Sequence, residues 1–403
     1  MKRWNLRGLG IVALAHGASD FYSGMVPLLI FTIVAAHGLS PIYQGGIGFL
    51  WYFTSSIVQP LFGYYSDARG RWWFLPAAVA LTVGAVSLSG LSPSIAGLAF
   101  FVVAGGLGSA VMHPQAGKYA AMLSGSRKSG GISIFQIGGA AGFALGPVAI
   151  AAALHADGPR GSLWMLIPGA IAVAAIFLPM RGVDRDAVEH HRATTAASPA
   201  WPGKVDRTGV SLLVASTALK YLVGAAFMTY LPNLIVARGG TVVQAGELVT
   251  AFLAVGVVGL FAGGYLGDRF GALAISVAGL LAAVPLLFGF FTFQGWVGVG
   301  CVLLANVMLN VQSAPSVVIV QRMLPRNLGM ALGLMNGVAF GIGSALVAVV
   351  GFSVARSGAS AALLQVSALP VACALAYVMV GRRLAPGLRT LAGSHPEILP
   401  GAG

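Results

Sequence analysis

The chain has 403 residues, of which 57% are hydrophobic and only 8% charged, against about 25% charged in a soluble domain. That balance excludes a soluble fold and makes lipid the solvent for most of the chain. The formal charge of +13 is spread thinly over short loops, which excludes a nucleic-acid surface and points to membrane topology. Cys301 and Cys373 lie in apolar runs and read as buried small hydrophobes, with no disulfide.

Taken in order, apolar stretches of spanning length predict transmembrane helices over 8–36, 42–65, 72–91, 95–121, 129–154 and 162–180, then 208–237, 243–266, 272–291, 296–322, 328–354 and 360–380. Lys2, Arg3 and Arg7 before Ala13-Leu14-Ala15 imitate a leader peptide. The apolar run, however, continues past Asp20 to Ala36, so a first membrane helix is expected. Turn chemistry separates the spans at His37-Gly38-Leu39-Ser40-Pro41, Ser92-Pro93-Ser94, Asp157-Gly158-Pro159 and Gly239-Gly240. The one long polar stretch, 181–207, reads as a solvated linker between a half at 1–180 and a half at 208–403. His190-His191 within it is too sparse for a metal site, and no metal or cofactor is expected.

With a cytoplasmic N-terminus, 19 of the 23 Lys and Arg fall on the cytoplasmic side; Arg160, Arg238 and Arg356 fall outside, and Lys220 falls within a span. This bias puts both termini in the cytoplasm of a bacterial inner membrane. The halves repeat at an offset near 200: Gly63-Tyr64-Tyr65-Ser66-Asp67 recurs as Gly264-Tyr265-Leu266-Gly267-Asp268, Pro114 as Pro315, and Gln136 as Asn336. The expected fold class is therefore an all-α polytopic protein with twelve helices in two pseudo-symmetric halves.

Gly63-xxx-Asp67-Ala68-Arg69-Gly70-Arg71, with its counterpart Gly264-xxx-Asp268-Arg269, resembles the signature loop of the major facilitator superfamily. His16-xxx-Asp20-xxx-Gly24-xx-Pro27, Met112-His113-Pro114 and the run from Ser133 to Pro147 resemble its fosmidomycin resistance branch. Ser19 and Ala140 stand where that branch is expected to carry Asn, and the arginine that many proton-driven exporters carry in helix 4 is missing, with Val102 near that position. The resemblance implies that the signature loop is a conformational latch. It also implies that helices 1, 4, 7 and 10 line a cavity, and that the protein works as a monomer on a small molecule and protons.

Ionisable groups inside a span are costly and default to function. Asp20 lies mid-helix with His16 one turn away, a pair able to share a proton. Lys220 occupies the matching depth in helix 7, where it requires Asp20 or an anionic substrate as partner. His113, Gln136, Asn306, Asn310 and Asn336 complete the candidate substrate-binding set, whereas Glu247 reads as an interfacial carboxylate. Glycine rows at 138/142/146, 259/263/267 and 329/333/337/341 mark close helix contacts. On the resemblance, these should meet the opposite half.

Gly117-Lys118 lacks the upstream glycine of a phosphate loop, so nucleotide-driven transport is not expected. No nucleophile–base set suggests an enzyme. The expected function is proton-coupled export of a small anionic or zwitterionic compound such as a phosphonate-type antibiotic. The alternatives are an uptake symporter for an organic anion, and a non-transporting membrane assembly protein or embedded enzyme.

Overall fold

The computed structural model describes residues 4–38, 42–195, 205–240 and 242–394. The turn expected at 39–41, the basic residues Lys2 and Arg3, and Lys204 lie outside these. The described residues form helices and connecting turns, with no strand among them. Within a bilayer each backbone N–H must find its carbonyl inside the protein, and a helix achieves this within one segment. The helices are α1 (Leu6–Ala36), α2 (Ile42–Tyr52), α3 (Gln59–Arg69), α4 (Phe74–Leu88), α5 (Ile95–Leu123), α6 (Lys128–Asp157), α7 (Leu166–Thr195) and α8 (Arg207–Ala237). They continue as α9 (Val242–Phe270), α10 (Ala272–Thr292), α11 (Gly295–Val311), α12 (Ser313–Met323), α13 (Leu328–Leu332), α14 (Ala339–Val366) and α15 (Leu369–Ser394).

Nine stretches of the described residues are long and apolar enough to cross a membrane. Two are double-length, 128–191 and 328–383. The first is divided by the 3₁₀ turn Gly158–Met165 and the second by non-helical backbone at Gly358. Residues 42–69, interrupted by a π turn at Phe53–Ile57, add one more, which makes the expected twelve. Large apolar side chains such as Leu178, Phe352 and Trp296 are exposed, as they must be where lipid is the solvent.

Contacts divide the chain into two units: Met1–His191 with Arg326–Gly341, and Arg192–Pro325 with Ile342–Gly403. In the first unit α1 lies along α6. A Cβ added at Gly138, Gly142 or Gly146 would collide with the carbonyl oxygens of Ala13, Gly17 and Phe21, so this glycine row seats α1 of the same half. In the second unit Gly259 and Gly263 of α9 meet the carbonyls of Val307 and Val311 in the same way. The expectation that these two rows face the opposite half is thus corrected. An i, i+4 glycine row reports a close backbone neighbour without saying which one. The third row behaves as expected: Gly329, Gly333, Gly337 and Gly341 lie against Gly63, Pro60, Ser56 and Ile57. Here two π turns, Phe53–Ile57 and Gly333–Val338, pack on one another.

The signature loop explains why 326–341 joins the first unit. Asp67 accepts from the N–H of Gly329 at 3.0 Å and of Met330 at 3.1 Å, capping the N-terminus of α13 where the helix dipole favours an anion. Gly63 allows this approach, since a Cβ there would lie 2.7 Å from Gly329 and Met330 backbone atoms. The basic partner of Asp67 is Lys118, at 3.8 Å, which also donates to the Ser66 carbonyl at 3.0 Å. The loop arginines Arg69 and Arg71 are exposed.

The segment expected as a solvated linker is helical as far as Thr195, because α7 runs on. Val183 and Ala187, one turn apart, are buried on one face, while Asp184 accepts from Tyr119 Oη at 2.6 Å and Asp186 from Asn5 Nδ2 at 3.3 Å. Polar composition concealed this short amphipathic stripe. At the start of α8, Asp206 caps Gly209 at 3.0 Å and accepts from Arg383 Nε at 2.9 Å; the Arg383 hydrogen bond holds its carboxyl below the usual range.

Two outcomes follow from this packing. Gly142→Leu must force α1 off α6, an overpacking change of about 1–3 kcal/mol. Thermal unfolding in detergent should fall by several degrees, whereas Gly10→Leu, with nothing within 4 Å, should leave it unchanged. Asp67→Ala removes the cap on α13, so hydrogen exchange at the Gly329 and Met330 amides should accelerate by about tenfold, the equivalent of one lost charge-assisted hydrogen bond.

Candidate functional site

The first unit places three ionisable side chains together inside the spans. One helical turn brings His16 and Asp20 to the same face of α1, and His16 Nε2 lies 3.2 Å from Asp20 Oδ2. His113 of α5 reaches the other carboxylate oxygen, with Nε2 3.2 Å from Oδ1. Each ring is also held at its far side: His16 Nδ1 lies 2.8 Å from the Phe135 carbonyl, and His113 Nδ1 lies 2.8 Å from the Ser109 carbonyl. The His16 ring stacks on Phe135 at 4.0 Å and meets the edge of His113 at 4.9 Å. Gly139 makes room for it, because a Cβ there would strike the imidazole. The three side chains are mostly buried, Asp20 being the most open at 18%.

The second unit buries a lysine among neutral groups. Lys220 of α8 donates to Ser313 Oγ at 2.9 Å and to Asn310 Oδ1 at 3.3 Å, and its ammonium stands 4.6 Å from the Tyr221 ring centre. Asn310 is oriented by Asn306, to whose backbone oxygen it donates at 2.9 Å and to whose side-chain oxygen at 3.1 Å. Asn306 in turn donates to the Phe252 carbonyl of α9. Ser313 is available because the helix breaks between α11 and α12 at Gln312, whose side chain is held by Tyr377 Oη at 2.7 Å. Among the described residues of this unit, no carboxylate pairs with Lys220. A buried ammonium with only neutral acceptors is under-compensated, and so is receptive to an anion.

The candidate residues therefore assemble into two clusters, and Asp20 and Lys220 each have partners within their own unit. Gln136 is buried next to Phe135 in the chain of α6, and its Oε1 accepts no hydrogen bond among the described residues. Asn336 sits half-buried in the π turn Gly333–Val338, and Glu247 is exposed. In the repeat loop, Gly264 and Asp268 lie at the end of α9, where Arg269 donates to Tyr265 Oη at 3.3 Å. His113, expected among the substrate contacts, lies against Asp20, and Lys118, which follows Gly117 in an incomplete phosphate-loop pattern, lies against Asp67. Nothing along the chain reports that either lies beside an aspartate of another helix.

The sequence pattern of the Major Facilitator Superfamily matches residues 12–348. An uncharacterized MFS-type transporter of Bacillus subtilis is 26% identical over 388 residues, 92% of this chain and 91% of that protein. The fosmidomycin resistance protein of Escherichia coli is 28% identical over 352 residues, 85% of each. The solved structure of the E. coli fucose:proton symporter superposes with a TM-score of 0.71 at 15% identity, over 94% of this chain and 99% of that one; at that identity the likeness concerns the fold alone. With the family pattern covering most of its length and a twelve-helix fold of the same kind, the chain belongs to the Major Facilitator Superfamily and is a multi-pass membrane transporter, not an enzyme.

Proposed function

We propose that the protein exports a small anionic compound of the phosphonate-antibiotic kind across the bacterial inner membrane, in exchange for protons. The observation that carries the anionic substrate is Lys220, a buried ammonium whose partners, Ser313 and Asn310, are neutral. An oxyanion supplies the missing negative charge, and Asn306 and Asn310 fix the position at which it is met. The name of the Escherichia coli relative, a fosmidomycin resistance protein, supports export of such an anion. Proton coupling is assigned to Asp20 with His16, because a carboxylate beside an imidazole within a span can gain and lose a proton in the course of a cycle. The Lys and Arg bias supports cytoplasmic termini, and the chain acts as a monomer.

Coupling then proceeds through the occupancy of two clusters. The anion satisfies Lys220, the proton satisfies Asp20, and an empty cluster leaves a charge short of partners in a medium that penalises it. The Asp67 cap on α13 and the glycine row of 329–341 serve as the parts that make and break during the cycle.

Two variants test this reading. Fosmidomycin affinity in lipid nanodiscs should fall at least about tenfold in Lys220→Ala, since a hydrogen bond to a charged group contributes about 1.5–3 kcal/mol; unchanged affinity makes Lys220 structural. Asp20→Asn cannot titrate, so it should bind fosmidomycin and lose accumulation driven by a pH gradient. Full gradient-driven transport by that variant removes Asp20 from the mechanism.

A further inference from the structure

The hydrogen-bond directions around Asp20 determine how many protons the cluster holds. A carbonyl oxygen only accepts, so the Nδ1 of His16, 2.8 Å from the Phe135 carbonyl, carries a hydrogen. The same argument puts a hydrogen on His113 Nδ1, 2.8 Å from the Ser109 carbonyl. A neutral imidazole has one N–H, so with Nδ1 protonated each Nε2 presents a lone pair. Both lone pairs point at a carboxylate, at 3.2 Å to Oδ2 and 3.2 Å to Oδ1. Lone pair against lone pair is repulsive, and turning either ring would bring a carbon to the carbonyl and break its bond. Phe135, stacked at 4.0 Å, and Gly139, close beneath the ring, hold His16 against such a turn.

We propose that His16, Asp20 and His113 form a single two-proton site, with one exchangeable proton on each nitrogen–oxygen contact. The charge balance follows directly. Two imidazoles protonated only at Nδ1 and an ionised Asp20 total −1. One bridging proton makes the cluster neutral, and the second makes it +1. The carboxyl can carry only one of the two, so in the fully loaded state at least one ring is an imidazolium. The groups facing the carboxyl from α1 and α5 are His16 and His113; α2, α4, α6 and α7 bring no ionisable group to it among the described residues of the unit. His113 thereby becomes the second arm of the proton site instead of a substrate contact. The inference rests on the coupled-transport reading for its role in the cycle, while the proton count stands on the local geometry.

The count can be read directly in the full-length protein in lipid nanodiscs, carrying ¹⁵N-histidine and ¹³C-aspartate, with His37, His155, His190, His191 and His395 changed to Gln. Nitrogen shifts identify the tautomer and ionisation of both rings, and the carboxyl shift identifies a proton on Asp20, so a proton on any member is counted. Between about pH 5 and pH 9 the two rings should keep Nδ1–H throughout, and the cluster should hold two bridging protons at the acid end. His113→Gln, which retains an N–H donor toward Asp20, should lower the count from two to one. A wild-type count of one, or a neutral ring with a bare Nδ1, overturns the proposal. So does a stoichiometric transition metal in elemental analysis that is lost in His113→Gln, since the three donor atoms lie within 4.8 Å of one another and an ion would then replace both protons. A count of two without any response of transport to a pH gradient leaves this site intact and overturns the coupled reading. A count of one with gradient-driven transport does the reverse.

Discussion

The constraint on which this structure depends is the absence of water from the hydrocarbon layer, where every charge and every backbone polar group must find its partner inside the protein. The helices satisfy the backbone, and the exceptions are placed with care. The π turns at Phe53–Ile57 and Gly333–Val338 pack on each other, and at the break between α11 and α12 Tyr377 holds the Gln312 side chain. Charges are rarer still. Asp20 has two imidazoles, Lys220 has a serine and an asparagine, and Asp67 has the amide nitrogens of α13 together with Lys118.

Each of these arrangements is complete in a different degree, and that difference carries the functional argument. The Asp20 cluster sets two imidazole nitrogens at 3.2 Å from the two carboxylate oxygens, contacts that the proposed reading closes with protons. The Lys220 cluster has hydrogen-bond acceptors but no counter-charge. The Asp67 cap is held by backbone amides that belong to a segment from the other half of the sequence, with Gly63 and Gly329 permitting the contact. In the proposed cycle a proton, an anion and a helix terminus are thus three partners whose arrival and departure change the cost of keeping a charge in place. A transporter needs states that differ by such modest amounts, because a ligand can shift an equilibrium only by its difference in affinity for the two states.

Much of this was legible in the chain. Apolar length located the spans, the basic bias and the repeat pointed to paired halves, and Asp20 and Lys220 stood out as charges where charges are expensive. His16 was readable as a neighbour of Asp20 because both sit on one helix at a spacing of four. His113 was not, since its distance to Asp20 depends on how α5 lies against α1, and one sequence contains no record of that. The glycine rows announced close contacts, yet those of α6 and α9 serve helices of their own half. Local chemistry does not distinguish one carbonyl from another as the neighbour. The helical stretch after Met180 was hidden for a related reason: its charged residues dominate the composition, while its apolar packing rests on the two small residues Val183 and Ala187.

In the proposed exchange, proton flow and anion flow are obligately opposed. The most direct measurement is uptake of labelled fosmidomycin into inside-out membrane vesicles under a pH gradient of either sign, with the membrane potential clamped. The account predicts accumulation when the vesicle interior, equivalent to the outside of the cell, is acidic, and none when the gradient is reversed. Accumulation indifferent to the gradient, or running in the same direction as the protons, would contradict it.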